Sequence, residues 1–386
     1  VDGCMAGRDD DNLRRNRIMA RRIRNSTKIC RSLWQHPLDS RADLAKRLGI
    51  DKSTITSETT DLIKRNVICE LPKSRAMQNS GTTGRRPIPL SLNKDYGTVL
   101  GISIQAGSYA LSAVNLAGEA VFSQEVNESI TKDNITDEII RIQRDFIREH
   151  GQTVPRCLGI GIGVGGLINW ENNTIRYSVP LDVREEFSFI DEIHRKTSLP
   201  VSLENNANCC AWAKLAFPKN PPPRNFLFLL VEFKQALVPH KQYGGVGIGL
   251  GIVINGKIHY GVHSFAGEFR SVFCSERNEN QTSLNKAETD RILTDQGVMT
   301  RFINELAANI AMFSNTLDIG KIFISSDLET PGRQLCDVTR KALSDNWIFP
   351  VEKEVPVDYS SYGANMIAYG AAGKLFQVLL DSGRIP

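Results

Sequence analysis

Apolar positions recur along this chain in two rhythms. At the N-terminal end the spacing is helical: Leu13, Ile18, Ile23, Ile29 and Leu33 punctuate an otherwise cationic stretch, predicting a helix over 12–33. From Gly97 the pattern changes to short apolar runs bounded by Gly, Asn and Pro. Residues 99–118 read as two strands and a hairpin turn, and a third strand runs through 120–124. An amphipathic helix follows at 135–150, then a buried strand at 157–163 that runs into Val164-Gly-Gly-Leu167. Strands at 200–203, 226–232 and 321–325 then alternate with helices at 207–216, 298–317 and 364–380. Such alternation predicts an α/β body of two lobes with a three-stranded antiparallel start. Between these elements lies Gly244 to Cys274, with five glycines in its first eight residues, an Asn255-Gly256 turn and a lone acid in Ala266-Gly267-Glu268. It reads as strand, tight turn, strand and loop, with glycines that let backbone approach either another strand or a ligand.

The head carries a sharper pattern. In the stretch from Arg41 to Arg65, Ala45, Gly49 and Ile55 fall at the fifth, ninth and fifteenth positions of a helix-turn-helix frame. A small residue stands where two helices cross, glycine supplies the left-handed turn, and an apolar contact returns from the second helix. Asp51 is placed to cap that second helix. Its exposed candidates for DNA contact are Lys52, Ser53, Thr54, Thr56, Ser57, Thr60 and Lys64. Short hydroxylic side chains there suit a helix pressed into a major groove. Strands at 67–71 and 88–92 flank a basic loop ending in Gly84-Arg85-Arg86-Pro87, which reads either as a wing entering a minor groove or as a linker.

Charge sharpens this division. Residues 1–97 hold 20 Lys/Arg against 11 Asp/Glu, a net of +9, so a chain total of +4 leaves −5 on the remaining 289 residues. A basic head on a mildly acidic body points to a polyanion partner for the head alone. The eight cysteines include no Cys-x-x-Cys pair and are expected as free thiols in a reducing cytoplasm. No run of about 18 apolar residues is present, so no membrane span is expected, nor a secretory signal.

Six motifs in order then resemble the ROK family, which groups sugar-responsive repressors and sugar kinases, and in particular its repressor branch. They are Gly84-Arg-Arg-Pro-Ile-Pro-Leu-Ser-Leu-Asn93, Gly159 to Leu167, Glu204-Asn-Asn-Ala-Asn208, Gly245 to Gly256, Ala266-Gly-Glu268 and Tyr369-Gly-Ala-Ala372. The resemblance implies a winged helix-turn-helix at 12–93, then a two-lobed, actin-like (ribonuclease H-like) sugar-kinase body at 97–386. Residues 1–11 are read as disordered, as is an insertion at 233–243. The family's sugar cleft would lie between the lobes, with Gly165, Gly166, Asn205, Asn206, Glu268 and Ser271 as candidate effector contacts. For Asn205 and Asn206, capping of the following helix is the competing reading.

The departures from the family matter as much. Where its kinases have an acid for metal and phosphate, in a pattern resembling Asp-x-Gly-Gly-Thr, this chain has Ser103-Ile-Gln-Ala-Gly107. Asn206 stands where they have an Asp base, and an amide accepts no proton at neutral pH. The family's Glu-x-Gly-His becomes Glu268-Phe-Arg-Ser271, and of its zinc cysteines only Cys274 stands here, so no metal is expected. The expected reading is a cytoplasmic, non-catalytic repressor without cofactor. It would bind an operator in double-stranded DNA as a homodimer or a dimer of dimers and respond to a small sugar-type effector. Its rivals are an ATP-dependent sugar kinase with a regulatory head, and a regulator whose body is only a dimerisation scaffold.

Overall fold

The computed structural model describes residues 25–72, 87–217, 222–233, 245–275, 280–361 and 364–385. The expectations for residues 1–11, for the helix before residue 25, for Arg85 and Arg86, and for the insertion beyond Phe233 lie outside the described residues.

In the head, helix α1 (described over 25–35) is followed by α2 (Arg41–Leu48) and α3 (Lys52–Lys64). Ser40 and Asp43 form a reciprocal capping box at the start of α2, and Gly49 ends it at φ 63°. Ile55 and Leu62 of α3 are fully buried against Leu44 and Ala45, as the helix-turn-helix frame requires. Strands β1 (Ile68–Glu70) and β2 (Leu90–Leu92) pair antiparallel beside α3.

The body is built twice on one plan. In the first lobe, β3 (Thr98–Gln105), β4 (Ser108–Asn115) and β5 (Ala120–Val126) form an antiparallel meander. Helix α4 (Ile135–His150) leads to β6 (Cys157–Val164), which pairs parallel with β3. A hairpin of β7 (Leu167–Asn169) and β8 (Thr174–Tyr177), then α5 (Ile190–Lys196), precede β9 (Val201–Asn205), which pairs parallel with β6. Helix α6 (Asn206–Leu215) then crosses to the second lobe. There β10 (Phe226–Glu232), β11 (Gly247–Ile254) and β12 (Lys257–Ile258) repeat the antiparallel meander. Helices α7 (Lys286–Arg291) and α8 (Gln296–Thr316) lead to β13 (Ile322–Ser326), α9 (Glu329–Asp345) and β14 (Val357–Tyr359). Helix α10 (Ala364–Asp381) closes the chain on the first lobe. The sheet orders are β5-β4-β3-β6-β9 and β12-β11-β10-β13-β14, the same path of neighbours with the same parallel and antiparallel pairings.

Helices α6 and α10 lie between the two sheets, α10 against β3, β4 and β6, and α6 against β10 and β11. The glycine-rich strands make this possible. A Cβ on Gly161 would stand 2.1 Å from the carbonyl oxygen of Ala371 in α10, and one on Gly251 would stand 2.7 Å from that of Ala207 in α6. At these two glycines the approaching surface is a helix, while Gly247 and Gly249 of the 244–274 run face the space between the lobes, where a ligand could approach. On the outer faces α4 and α5 cover the first sheet, and α8 and α9 the second.

Candidate functional site: the interlobe cleft and the head's exposed helix

Between the lobes lies a cleft of ≈ 530 Å³. Gly165, Gly166, Asn205, Asn206 and Glu268 all line it, together with Arg270, a charge at this place in the sequence that suits either an anionic ligand or a salt bridge, and with Glu232 and Gln281, which the sequence did not single out. Ser271 does not line it. Its side chain is buried, and its hydroxyl accepts from Asn309 Nδ2 at 3.1 Å and from the Phe273 amide at 3.2 Å.

The two asparagines divide their labour. Asn205 caps α6, accepting the amides of Ala207 (2.8 Å) and Asn208 (3.3 Å), and its Nδ2 donates to the Gly166 carbonyl at 2.9 Å. Ser178 Oγ donates to the Gly165 carbonyl at 2.7 Å, so the di-glycine turn is pinned from both sides. Asn205 is thereby a cap and a brace, its polar atoms committed. Asn206 also accepts from the Ala207 amide, while its Nδ2 donates to Glu232 Oε2 at 2.8 Å. Glu232 ends β10, and its other oxygen accepts from Gln105 Nε2 at 3.3 Å across the lobes. Gln105 ends β3, so the last residues of the two equivalent central strands meet at the cleft floor. Glu232 carried a signal in the sequence: it is the lone charge closing the apolar run Phe226-Leu-Phe-Leu-Leu-Val.

Glu268 is different in kind. Its side chain is reachable from the cleft, yet the concave wall strips away much of its water, which pushes its carboxyl up to about 7. Its loop is held by Gln281, whose Oε1 accepts the Ile248 amide (2.8 Å) while Nε2 donates to the carbonyls of Ile248 (2.8 Å) and Phe269 (3.0 Å). One side-chain amide thus staples the Glu268 loop to β11. Arg270 Nη2 donates to the Ser275 carbonyl at 3.2 Å on the rim.

The zinc set that the family resemblance implies does not fit this segment. Ser271 stands at the histidine position with its hydroxyl committed to Asn309, Cys274 Sγ faces the Asn280 carbonyl at 3.7 Å, and 275–284 contain no Cys or His. Hydrogen bonds from Gln281, Asn280 and Asn309 hold the segment where a tetrahedral metal would need four donors. At the position of the kinases' metal-binding acid, Ser103 is fully buried and its Oγ has no hydrogen-bond partner.

On the head, Lys52, Ser53, Thr56, Ser57, Thr60 and Lys64 share the exposed side of α3, with Thr54 half-buried at its edge. Asp51 accepts from the Thr54 amide (2.8 Å), from Thr54 Oγ1 (2.6 Å) and from Ser53 Oγ (2.5 Å). Thr56 and Thr60 donate to carbonyls one turn back, Lys52 and Thr56, at 2.7 Å each. Their hydroxyl protons are occupied, and each oxygen still offers a lone pair outward.

A profile of the ROK family matches residues 99–274. The xylose repressor of Caldicellulosiruptor bescii is 27% identical over 296 residues, 72% of this chain and 69% of its own length. Across the xylose repressors of that organism, Bacillus and Lactiplantibacillus pentosus, the aligned stretch spans 59 to 69% of their length. Among solved structures, a ROK family transcriptional regulator described as a homologue of the E. coli MLC protein superposes over 94% of this chain and 99% of its own, with a TM-score of 0.74 at 19% identity. A ROK family glucokinase from Streptomyces griseus superposes over 73% of this chain and 100% of its own, with a TM-score of 0.55 at 17% identity. The two-lobed, actin-like architecture is thus shared with regulators and sugar kinases alike, and residues 99–274 of this chain are similar to the ROK family.

Proposed function

We propose that this chain is a DNA-binding transcriptional repressor whose cleft binds a small sugar-type effector without transforming it. The observation that carries this reading is the joint presence of an exposed helix-turn-helix face on α3 and an interlobe cleft whose first-lobe wall is lined, among the described residues, by amides, glycines and apolar groups. Lys52, Ser53, Thr54, Thr56, Ser57, Thr60 and Lys64 would meet phosphates and base edges, with Arg85 and Arg86 reaching an adjacent groove. One recognition helix reads few base pairs, so operator binding calls for a homodimer. In the cleft, Glu268, Asn206 and Glu232 are the groups suited to sugar hydroxyls, with the Gly165-Gly166 turn giving backbone approach. The names of the relatives make xylose the first effector to test. No helix among the described residues is long and apolar enough to cross a membrane.

Kinase chemistry is the rival, because the fold is shared with a glucokinase. Phosphoryl transfer needs a metal-holding acid and a base towards the sugar hydroxyl, and Ser103 and Asn206 supply neither. The test has two arms. Selection from a random duplex pool should yield a palindromic site whose binding D-xylose or another sugar of a hexose and pentose panel weakens. A coupled assay with ATP and the same panel should show no turnover, and sugar-dependent turnover would overturn the reading.

A further inference from the structure

Beside the cleft, and outside its lining, a buried lysine is boxed by aromatic rings. Lys374 of α10 holds its ammonium 4.6 Å from the ring centre of Trp170, 5.2 Å from that of Tyr260 and 5.5 Å from that of Trp212. Its Nζ donates to Tyr260 Oη at 3.0 Å, Tyr260 Oη donates to Glu204 Oε2 at 2.6 Å, and the ammonium stands 3.9 Å from that carboxylate. Glu204 is fully buried and also accepts the Asn205 amide (2.9 Å) and Asn208 Nδ2 (3.1 Å). A buried ion pair held so closely is stabilising only while each member keeps its partners, so the cluster resists gradual deformation.

What makes the cluster informative is where its members come from. Glu204 ends the first lobe's β9 and directly precedes the cleft residues Asn205 and Asn206. Tyr260 follows β12 in the second lobe, and its carbonyl accepts the Ala266 amide at 3.1 Å, anchoring the loop that carries Glu268. The Tyr260–Glu204 bond therefore ties one cleft wall to the other. Lys374 adds a third segment, α10, which packs on the first lobe. Just beyond it, Leu375, Phe376, Leu379 and Leu380 of α10 enter the same apolar cluster as Leu33, Leu44, Ile55 and Leu62 of the head. Phe376 meets Trp34 of α1 edge to face at 5.3 Å, and Arg31 of α1 pairs with Asp381 at the end of α10. The head's core is thus continuous with a helix whose middle is pinned at the interlobe joint.

We infer that Glu204, Tyr260 and Lys374 are the joint through which cleft occupancy reaches the DNA-facing head, with α10 as the lever. This rests on the repressor reading above. A sugar that draws the walls together carries Tyr260 relative to Glu204, and Lys374, hydrogen-bonded to that hydroxyl, moves with it. A helix transmits an axial or tilting displacement of one turn to the next with little loss, so the Phe376–Trp34 seam receives it. Tyr260 and Lys374 are positioning residues in this scheme and touch no ligand.

The experiment uses the full chain, a duplex selected by it from a random pool, and the sugar of the panel that most weakens wild-type DNA binding. DNA affinity is measured with and without the sugar, and sugar affinity with and without the duplex. Reciprocal linkage requires the same factor both ways, of the order of 5- to 150-fold. In Tyr260→Phe, which keeps the ring and removes only the hydroxyl, each separate affinity should stay within about threefold of wild type while the coupling factor falls below about 3. Lys374→Met should do the same, and if it fails to fold, Tyr260→Phe decides alone. Wild-type coupling in folded Tyr260→Phe would overturn the inference, and so would loss of sugar binding itself, which would assign the cluster to the cleft. If no sugar shifts the wild-type chain, it is the repressor reading that fails, and this inference with it.

Discussion

The two lobes share one strand order and one pattern of strand directions, yet their cleft-facing chemistry has diverged. The first lobe presents amide groups, Gln105, Asn205 and Asn206. The second lobe keeps carboxylates, Glu232 and Glu268. At the cleft floor the two sets meet in the Gln105–Glu232 and Asn206–Glu232 hydrogen bonds. The contrast teaches that a neutral wall facing an acidic one can hold a polyol by hydrogen bonds while lacking the paired acids that hold metal and take a proton. The scaffold itself rests on backbone contacts, glycine strands against α6 and α10, that do not depend on which polar side chains face the cleft.

The largest expected effect comes from breaking the scaffold itself. Gly161→Val drives a side chain into the α10 backbone, where the first added carbon already has a carbonyl oxygen at 2.1 Å. Urea unfolding should show a loss beyond the roughly 1–3 kcal/mol typical of overpacking, whereas Gly251→Ala, with 2.7 Å to the α6 carbonyl, should fall within that range. Equal losses in the two lobes would mean that α10 yields as readily as α6.

Next come the carboxylates. Glu268→Gln should weaken sugar binding about 10- to 100-fold by calorimetry, the range expected when a charged acceptor of hydroxyl donors is removed. Glu268 also sets a pH signature. Its folded carboxyl is raised from 4.5 to about 7 by the cleft wall, so its contribution to stability is complete below pH 4.5 and is lost as pH rises through 7. Between pH 5 and 8 the wild type should therefore lose more thermal stability than Glu268→Gln, and parallel curves would contradict that environment.

Making the first wall acidic sharpens the contrast from the other side. Asn206→Asp sets a carboxylate against Glu232, whose oxygen now accepts from the amide at 2.8 Å. Sugar affinity should drop about tenfold at pH 8 and recover partly at pH 6, where the pair can share a proton. ATP turnover should stay absent, because Ser103 still leaves no metal-binding acid. The smallest effect belongs to the head: Lys64→Ala should cost a few-fold in DNA affinity and lower the salt slope of binding by about 1, without changing the selected sequence.

Much of this was legible in the chain, and the parts that were not share a cause. The helix-turn-helix could be read because Ala45, Gly49 and Ile55 act within one short segment, where spacing alone dictates contact. Most strands and helices of the body followed from periodicity, with ends shifted by a residue or two, as at β9 and α8. Helix α9 escaped because it opens on Glu329-Thr-Pro-Gly332, which reads as a turn. Pro331 sits in the first helical turn, where its missing N–H leaves no bond unmade, and Gly332 admits the Tyr359 ring. The glycine runs announced close approach without saying to what, since helices α6 and α10 that fill the gap come from distant sequence. Ser271 misled for the same reason: nothing local reveals that Asn309, 38 residues on, takes its hydroxyl. The Glu204–Tyr260–Lys374 cluster spans three segments, so only the fold assembles it.

The most direct test of the account is an anisotropy titration of the wild-type chain on its selected duplex, with D-xylose or the best sugar of the panel present or absent and ATP turnover followed in the same samples. DNA affinity should fall at least about fivefold on sugar addition, with no ATP consumed. An affinity indifferent to every sugar, or sugar-dependent ATP turnover, would contradict it.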